Sequence, residues 1–429
     1  MDNFKLRYFA YSGLFGLACG AVIGLFLSIV TLCHNFIWDY IPGLINDPAL
    51  YPLLICLIGG GLVGMFAQRF KAYPRSINET LSEFYSRDRV DYKQGQIWKN
   101  AAAGFLILLF GASVGPEAAL IAIVAGLLTF AADRIGFVSE YREELLEFGV
   151  GTTLGIIFMA PLFGIGRTLE ADDWRNLTES RLKRYVIYIF TTFAGFLGYL
   201  LMNQLLPGQE QVFAIRSMDN GITWQGLLLI APMIVLGALF GQFFIFAQEK
   251  AEKFNRRIKN PLPLAILAGF IFGLVGVFAP NLLFSGEHTL LSFTRQAENL
   301  SFVMLLIMAL GKVTLTMMSL AFNWRGGTIF PMIFASVAFG LALTNLLPYS
   351  EGLLVAIFTA ASCAIILRQP FAVACLFLLL FPVELFLWIW LAGYAATVFM
   401  RHLPFGKKAP VSRRIADSQT NGNRRRSRR

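Results

Sequence analysis

Gly111-Ala-Ser-Val-Gly-Pro-Glu-Ala-Ala-Leu120 breaks into apolar sequence, with Asn100 to Gly111 running in and Ala118 to Ala132 running out. Pro116 suits the first turn of a following helix, and glycines before it let another group approach the main chain. A second break, Arg325-Gly-Gly-Thr-Ile-Phe-Pro331, leads into the apolar run Thr328 to Leu346, with Pro331 again suited to a helix start. A helix start offers unpaired N–H groups and the positive end of a dipole, so each break can hold an anion without a buried Lys or Arg. The plainer alternative for each is a packing kink, because Gly and Pro are frequent in membrane helices.

Around these breaks the 429 residues are 56% hydrophobic and 14% charged, which no soluble domain could accommodate. The remaining apolar runs are about Phe9 to Cys33, Leu53 to Ala67, Phe148 to Gly164, Tyr185 to Leu206, Trp224 to Gln248, Leu264 to Ala279, Phe302 to Phe322, Leu353 to Ile366 and Phe371 to Met400. Several fall short of the ~20 residues a straight crossing needs. The expected fold is therefore an all-α polytopic membrane protein with spanning and half-spanning helices, the latter being where transport sites form. Glycines at helical spacing (16, 20 and 24; 60 and 64; 237 and 241; 269 and 273) read as close helix packing. A Gly-Pro break in one half and a Gly-Gly break in the other suggest two related halves, residues 1–205 and 206–400.

The net charge of +10 sits almost entirely in the tail, where residues 401–429 hold ten Lys and Arg against one acid, Asp417. A basic tail after the last apolar run marks the cytoplasmic side and is expected to be disordered; a nucleic-acid partner is not implied. Residues 34–50 carry two aspartates and no Lys or Arg, whereas the next connection has Arg69, Lys71 and Arg75, so both termini are expected in the cytoplasm. The polar stretch 69–99 reads as a cytoplasmic connection with an amphipathic helix around Ile77 to Tyr85. Five cysteines without C-x-x-C spacing read as small core residues, and no cofactor or metal cluster is expected.

With these residues in place the sequence resembles the CLC family of chloride channels and proton-coupled chloride transporters. Ala160-Pro-Leu-Phe-Gly-Ile165 with Glu170, Lys312 to Ser319 ahead of Arg325-Gly-Gly, and Pro280-Asn-Leu-Leu-Phe-Ser-Gly286 match its motifs in their order along the chain. The resemblance implies a bundle of tilted helices in two inverted-repeat halves, a homodimer with one pore per subunit, chloride or a similar anion as the transported partner, and a bacterial inner membrane as location. Carried over, Ser113, Val114 and Gly115 would line an outer anion site, and Gly327, Thr328, Ile329 and Phe330 a central one.

The family's gate and proton carrier is the Glu of its Gly-Lys/Arg-Glu-Gly-Pro motif; that position here is Val114, so the chain resembles a divergent bacterial branch reading Gly-Pro-Glu. The internal proton-carrying Glu falls on Ala171, the Gly-Ser-Gly-Ile-Pro motif is reduced to about Arg75-Ser76-Ile77-Asn78-Glu79, and the pore tyrosine falls near Val383. Glu117 is the candidate replacement gate, its alternative being a first-turn carboxylate satisfied by the helix dipole. Lys312 is a candidate for raising the pore potential, its alternative an ion-paired or snorkelling role. Passive or weakly proton-coupled passage is expected, with an antiporter using non-standard carboxylates as the second reading. Gly111-Ala-Ser-Val-Gly115 also fits G-x-S-x-G, but an intramembrane serine hydrolase needs a base, and the histidines, His34, His288 and His402, lie at segment ends. A non-transporting scaffold leaves the paired helix starts unexplained.

Overall fold

The computed structural model describes residues 3–402 apart from 71–72, 88–89, 91, 93–94, 136–137, 139–140, 172–178, 207–212, 220 and 348. The basic tail beyond 402 lies outside the described residues. Among those described, the regular elements are all helices, joined by short connections and one isolated bridge, and seven helices are long and apolar enough to cross a membrane.

α1 (Asn3–Asn35) continues through a π-helical turn (Phe36–Tyr40) into α2 (Ile41–Leu44), well past the expected end at Cys33. α3 (Tyr51–Arg69), the surface helix α4 (Ile77–Arg87), α5 (Gln96–Leu109) and α6 (Glu117–Ala132) follow. The run expected as one segment from Phe148 to Gly164 is two helices, α7 (Arg142–Ile157) and α8 (Pro161–Ala171). Met159 ends the first with a left-handed φ of 52°, and the Ala160 amide donates back to the Gly155 carbonyl at 2.8 Å, closing a helix cap before Pro161 opens the next. α9 (Glu179–Leu205), α10 (Trp224–Asn255), α11 (Leu262–Phe278), the short α12 (Leu290–Gln296), α13 (Phe302–Ala321), α14 (Ile329–Leu346) and α15 (Glu351–Leu367) complete the scaffold. The last apolar run also divides, into α16 (Pro370–Phe377) and α17 (Phe386–His402), because the chain turns at Leu378–Pro382.

The same sequence of events occurs twice. α5, break, α6, α7, left-handed residue, α8 is matched by α13, break, α14, α15, left-handed residue, α16, with Arg368 (φ 58°) standing where Met159 stands, and a proline opening both α8 and α16. At 16 residues α6 is only about 24 Å long, short of the ~30 Å hydrocarbon layer. It is sheltered from lipid: almost every residue of α6, α14 and α15 is buried, apolar side chains included. Such all-round apolar helices belong at the centre of a bundle. α9, α10 and α11 instead carry outward apolar side chains such as Phe193, Leu197, Leu228 and Phe270.

The spaced glycines do what close packing requires. A Cβ at Gly20 of α1 would run into the Gly195 carbonyl of α9, and one at Gly273 of α11 would meet Leu53 of α3. Gly237 and Gly241 likewise bring α10 against the backbone of α15 at Phe358 and Ser362.

Candidate functional site

Both breaks converge on one place. Gly115 and Gly327 form an antiparallel bridge, each amide donating to the other's carbonyl at 2.8 Å, so the starts of α6 and α14 are clamped side by side. Pro116 is the N-cap of α6, one residue before the first turn expected for it, and Glu117 takes the first helical position. Thr328 caps α14, which places Ile329, Phe330 and Pro331 in its first turn, where amide groups have no partner within the helix.

Glu117 is fully buried. Its carboxylate does not merely sit on its own helix start: Oε1 accepts from the Phe330 amide at 3.4 Å, while Oε2 has no hydrogen-bond partner. A carboxylate therefore occupies the meeting point of two helix N-termini. The seat exists because positions 115 and 327 are glycine, since a Cβ at either would collide with the Glu117 carboxylate.

The other expected site residues fall around this point. Val114 is buried and its amide donates to Ala112 at 2.8 Å; with the Gly115 and Gly327 amides engaged in the bridge, three backbone donors expected to face an anion are spent on the main chain. The Ser113 hydroxyl pairs with Thr316 Oγ1 of α13 at 3.1 Å. Ile329 is buried, and the Phe330 ring stacks in an aromatic group with Phe158 at 4.4 Å and Phe213 at 5.0 Å between centroids. Phe158, at the α7–α8 break, and Phe213, in the connection to α10, carry no motif that would mark them in sequence.

This geometry belongs to a recognisable fold. A family model described as voltage gated chloride channel matches residues 59–401. The chain belongs to the CLC family. YfeO of Escherichia coli O6:H1, an ion-transport protein by name, is 25% identical over 353 residues, 78% of each chain; its counterpart in Shigella boydii serotype 4 is 24% identical over the same span. Among solved structures, a slow cyanobacterial Cl−/H+ antiporter superposes with a TM-score of 0.72 at 19% identity, covering 97% of this chain and 99% of that one. A CLC-type fluoride/proton antiporter gives 0.69 at 16% identity, covering 92% and 96%. The function of this CLC protein therefore lies in anion transport across a membrane.

Several CLC motif positions serve structural ends here. Ser76 and Glu79 form a reciprocal cap on α4: Ser76 Oγ accepts from the Glu79 amide at 3.2 Å and Glu79 Oε2 from the Ser76 amide at 3.0 Å. This Ser-x-x-Glu pattern was readable in the sequence. Both Glu79 oxygens also accept from Arg325 at 2.8 Å, which pins the second break to the α4 start. Burial pushes the Glu79 carboxyl up, but the Arg325 guanidinium and Ser76 amide outweigh it and hold it below the usual carboxylate range. On the other side of that break, Trp324 Nε1 donates to the Ala265 carbonyl at 3.1 Å. Glu170 caps α16, accepting from the Phe371 and Ala372 amides at 3.0 and 3.1 Å. Val383 is exposed in a single 3-10 turn.

Lys312 is fully buried and spends its three donors on the carbonyls of Leu282, Leu283 and Phe284, at 3.2, 3.1 and 2.8 Å, with Phe334 beneath the ammonium at 4.8 Å. The Phe284 amide in turn donates to the Gly111 carbonyl at 3.3 Å, so Lys312 supports the first break through this loop. Lys312→Met leaves three buried carbonyls without that donor; at about 1–3 kcal/mol for each buried unsatisfied group, it is expected to cost about 3 kcal/mol or more. Thermal unfolding in detergent checks this, with Lys312→Arg expected to lose less.

Proposed function

We propose that the chain passes a small inorganic anion, chloride first among them, through a pathway crossing the α6–α14 junction, with Glu117 as the carboxylate that competes with the anion there. The observation that carries this reading is the bond from the Phe330 amide to Glu117 Oε1 between two helix starts. A halide accepts from the same kind of N–H group, and a first-turn amide is a site for either. A dipolar seat without a full buried cation binds weakly enough for turnover. The central contacts are then the Thr328, Ile329 and Phe330 amides, with Ser113 to Gly115 shaping the approach.

Passage is passive or weakly proton-coupled on this reading, because the positions of the family's two proton-carrying glutamates hold Val114 and Ala171. Exchange against protons is the second reading, favoured by the carboxylate at Glu117 itself. The hydrolase reading loses support because Ser113 Oγ pairs with Thr316 and His288 pairs with Glu287. The halves 1–205 and 206–400 each supply one helix start, the subunit pairs as a homodimer, and both termini lie on the cytoplasmic side of the bacterial inner membrane. The cluster Lys253, Arg256, Arg257 and Lys259 at the end of α10 supports that sidedness.

The test is chloride efflux from liposomes holding purified protein, first with valinomycin alone and then with a proton ionophore, while external pH is recorded. Efflux with little proton movement supports the reading. Efflux that drives protons inward in fixed ratio selects the exchanger, and no flux of any anion removes the transport proposal.

A further inference from the structure

The loop between α11 and α12 carries two titratable side chains that anion passage does not use. Glu287 is largely buried, with 14% of its side chain exposed, and its Oε1 lies 3.4 Å from Nε2 of His288, which is 44% exposed. Glu117, which feels the charge of Glu287, is fully buried with one oxygen unpartnered. Exposure thus falls in steps from solvent to the gate: His288, Glu287, Glu117. Glu287 lies within electrostatic reach of Glu117 on α6, Lys312 on α13 and Tyr199 on α9, and Ser285 donates to it. His288 lies within electrostatic reach of His34 at the end of α1, which also senses Asp39.

The loop belongs to the face opposite the basic connections. The His34 ring meets Phe284 at 4.7 Å and Trp38 meets it at 5.1 Å, which places the loop against the end of α1 far from the amino terminus. The α4 surface, Arg325 and the Lys253–Lys259 cluster lie toward the other side on the sidedness proposed above.

We propose that His288 and Glu287 form a proton relay from the outer aqueous face to Glu117, so that external pH sets how often the gate carboxylate is neutral. This rests on the reading of Glu117 as the competing carboxylate. A proton taken up at His288 passes from Nε2 to the Glu287 carboxylate, leaving a neutral imidazole; Glu287 then yields it to Glu117, whose neutral form releases the Phe330 amide to the anion. No other group changes charge, and the reverse sequence returns the proton outward.

The two relay groups lie in the loop, outside the spanning helices, and are tuned for the task. Burial pushes Glu287 up to about 7, with the Ser285 hydroxyl and the Lys312 charge pulling the other way, and burial lowers His288 from its ordinary value. Glu287 therefore changes charge near neutrality, and His288 gives up its proton more readily than a free imidazole. A purely structural Glu287 would serve as counter-charge to Lys312, and its loss would then affect stability without distinguishing the two faces of the membrane.

The experiment is anion flux through oriented protein in planar bilayers, stepping pH on one side at a time between about pH 5 and pH 8. Wild type is expected to gain flux as external pH falls, by up to about tenfold per pH unit for one titrating proton. Glu287→Gln and His288→Asn are each expected to cut the external response below about twofold while leaving the internal response and the low-pH flux in place. His288 is half exposed, so its variant remains informative where Glu287→Gln folds poorly. If both variants keep the wild-type external response while Glu117→Gln abolishes it, the relay is wrong and the gate stands. If Glu117→Gln also keeps that response, the gate reading fails and the relay with it.

Discussion

Glu117→Gln is expected to raise anion flux near neutral pH by about tenfold or more and to flatten its dependence on pH. The glutamine keeps the side chain's shape but cannot ionise. Charge-assisted hydrogen bonds exceed neutral ones by about 1–2 kcal/mol, and 1.4 kcal/mol is a tenfold change in occupancy. The charged competitor at the Phe330 amide is replaced by a weaker one, so the anion holds the seat more of the time. Fluorescence-quench or electrode recordings on liposomes measure both effects. Unchanged flux with unchanged pH dependence would mean that Glu117 is a structural first-turn carboxylate.

Gly327→Ala is expected to raise flux near neutral pH by about tenfold, as Glu117→Gln does, through space alone. Gly327 does not need a left-handed backbone, so alanine is conformationally acceptable there. Its Cβ, however, would fall on Oε2 and Cδ of Glu117. The carboxylate must leave its seat or the Gly115–Gly327 bridge must open. The same cause predicts non-additivity: in the Glu117→Ala background, Gly327→Ala should add less than about twofold, because the colliding atoms are gone. A loss of flux in both backgrounds would place the effect in the Gly115–Gly327 bridge instead.

The two breaks were legible because their chemistry is local. Glycine before a helix start and proline at it leave a residue-type signature, and the prolines of both breaks do stand at helix starts. What the breaks do together was not legible. The clamp between Gly115 and Gly327 is made by backbone groups far apart in the chain, so nothing in either segment announces the other. That clamp turns Glu117 from a carboxylate one turn away into one facing the opposite helix. Lys312 escaped a full reading for a related reason: its partners are three carbonyls, which any residues could supply. The divisions at Met159 and after Phe377 were missed because a non-glycine left-handed residue and an apolar turn look like continuous helix in hydropathy. The Ser76–Glu79 cap has a clear sequence signature, Ser-x-x-Glu at the start of the expected amphipathic helix.

On the proposed reading, the α6–α14 junction is a seat for negative charge that the protein itself fills when empty of anion. Its donors come from helix starts, its walls from glycines, and its support from Arg325 on one break and Lys312 on the other. The most direct test is anomalous diffraction from bromide-soaked crystals of wild type and of Glu117→Ala. The account predicts a bromide peak within hydrogen-bonding distance of the Phe330 amide in the variant, weak or missing in wild type at neutral pH. A variant whose bromide lies elsewhere, with the Phe330 amide unoccupied, would contradict it.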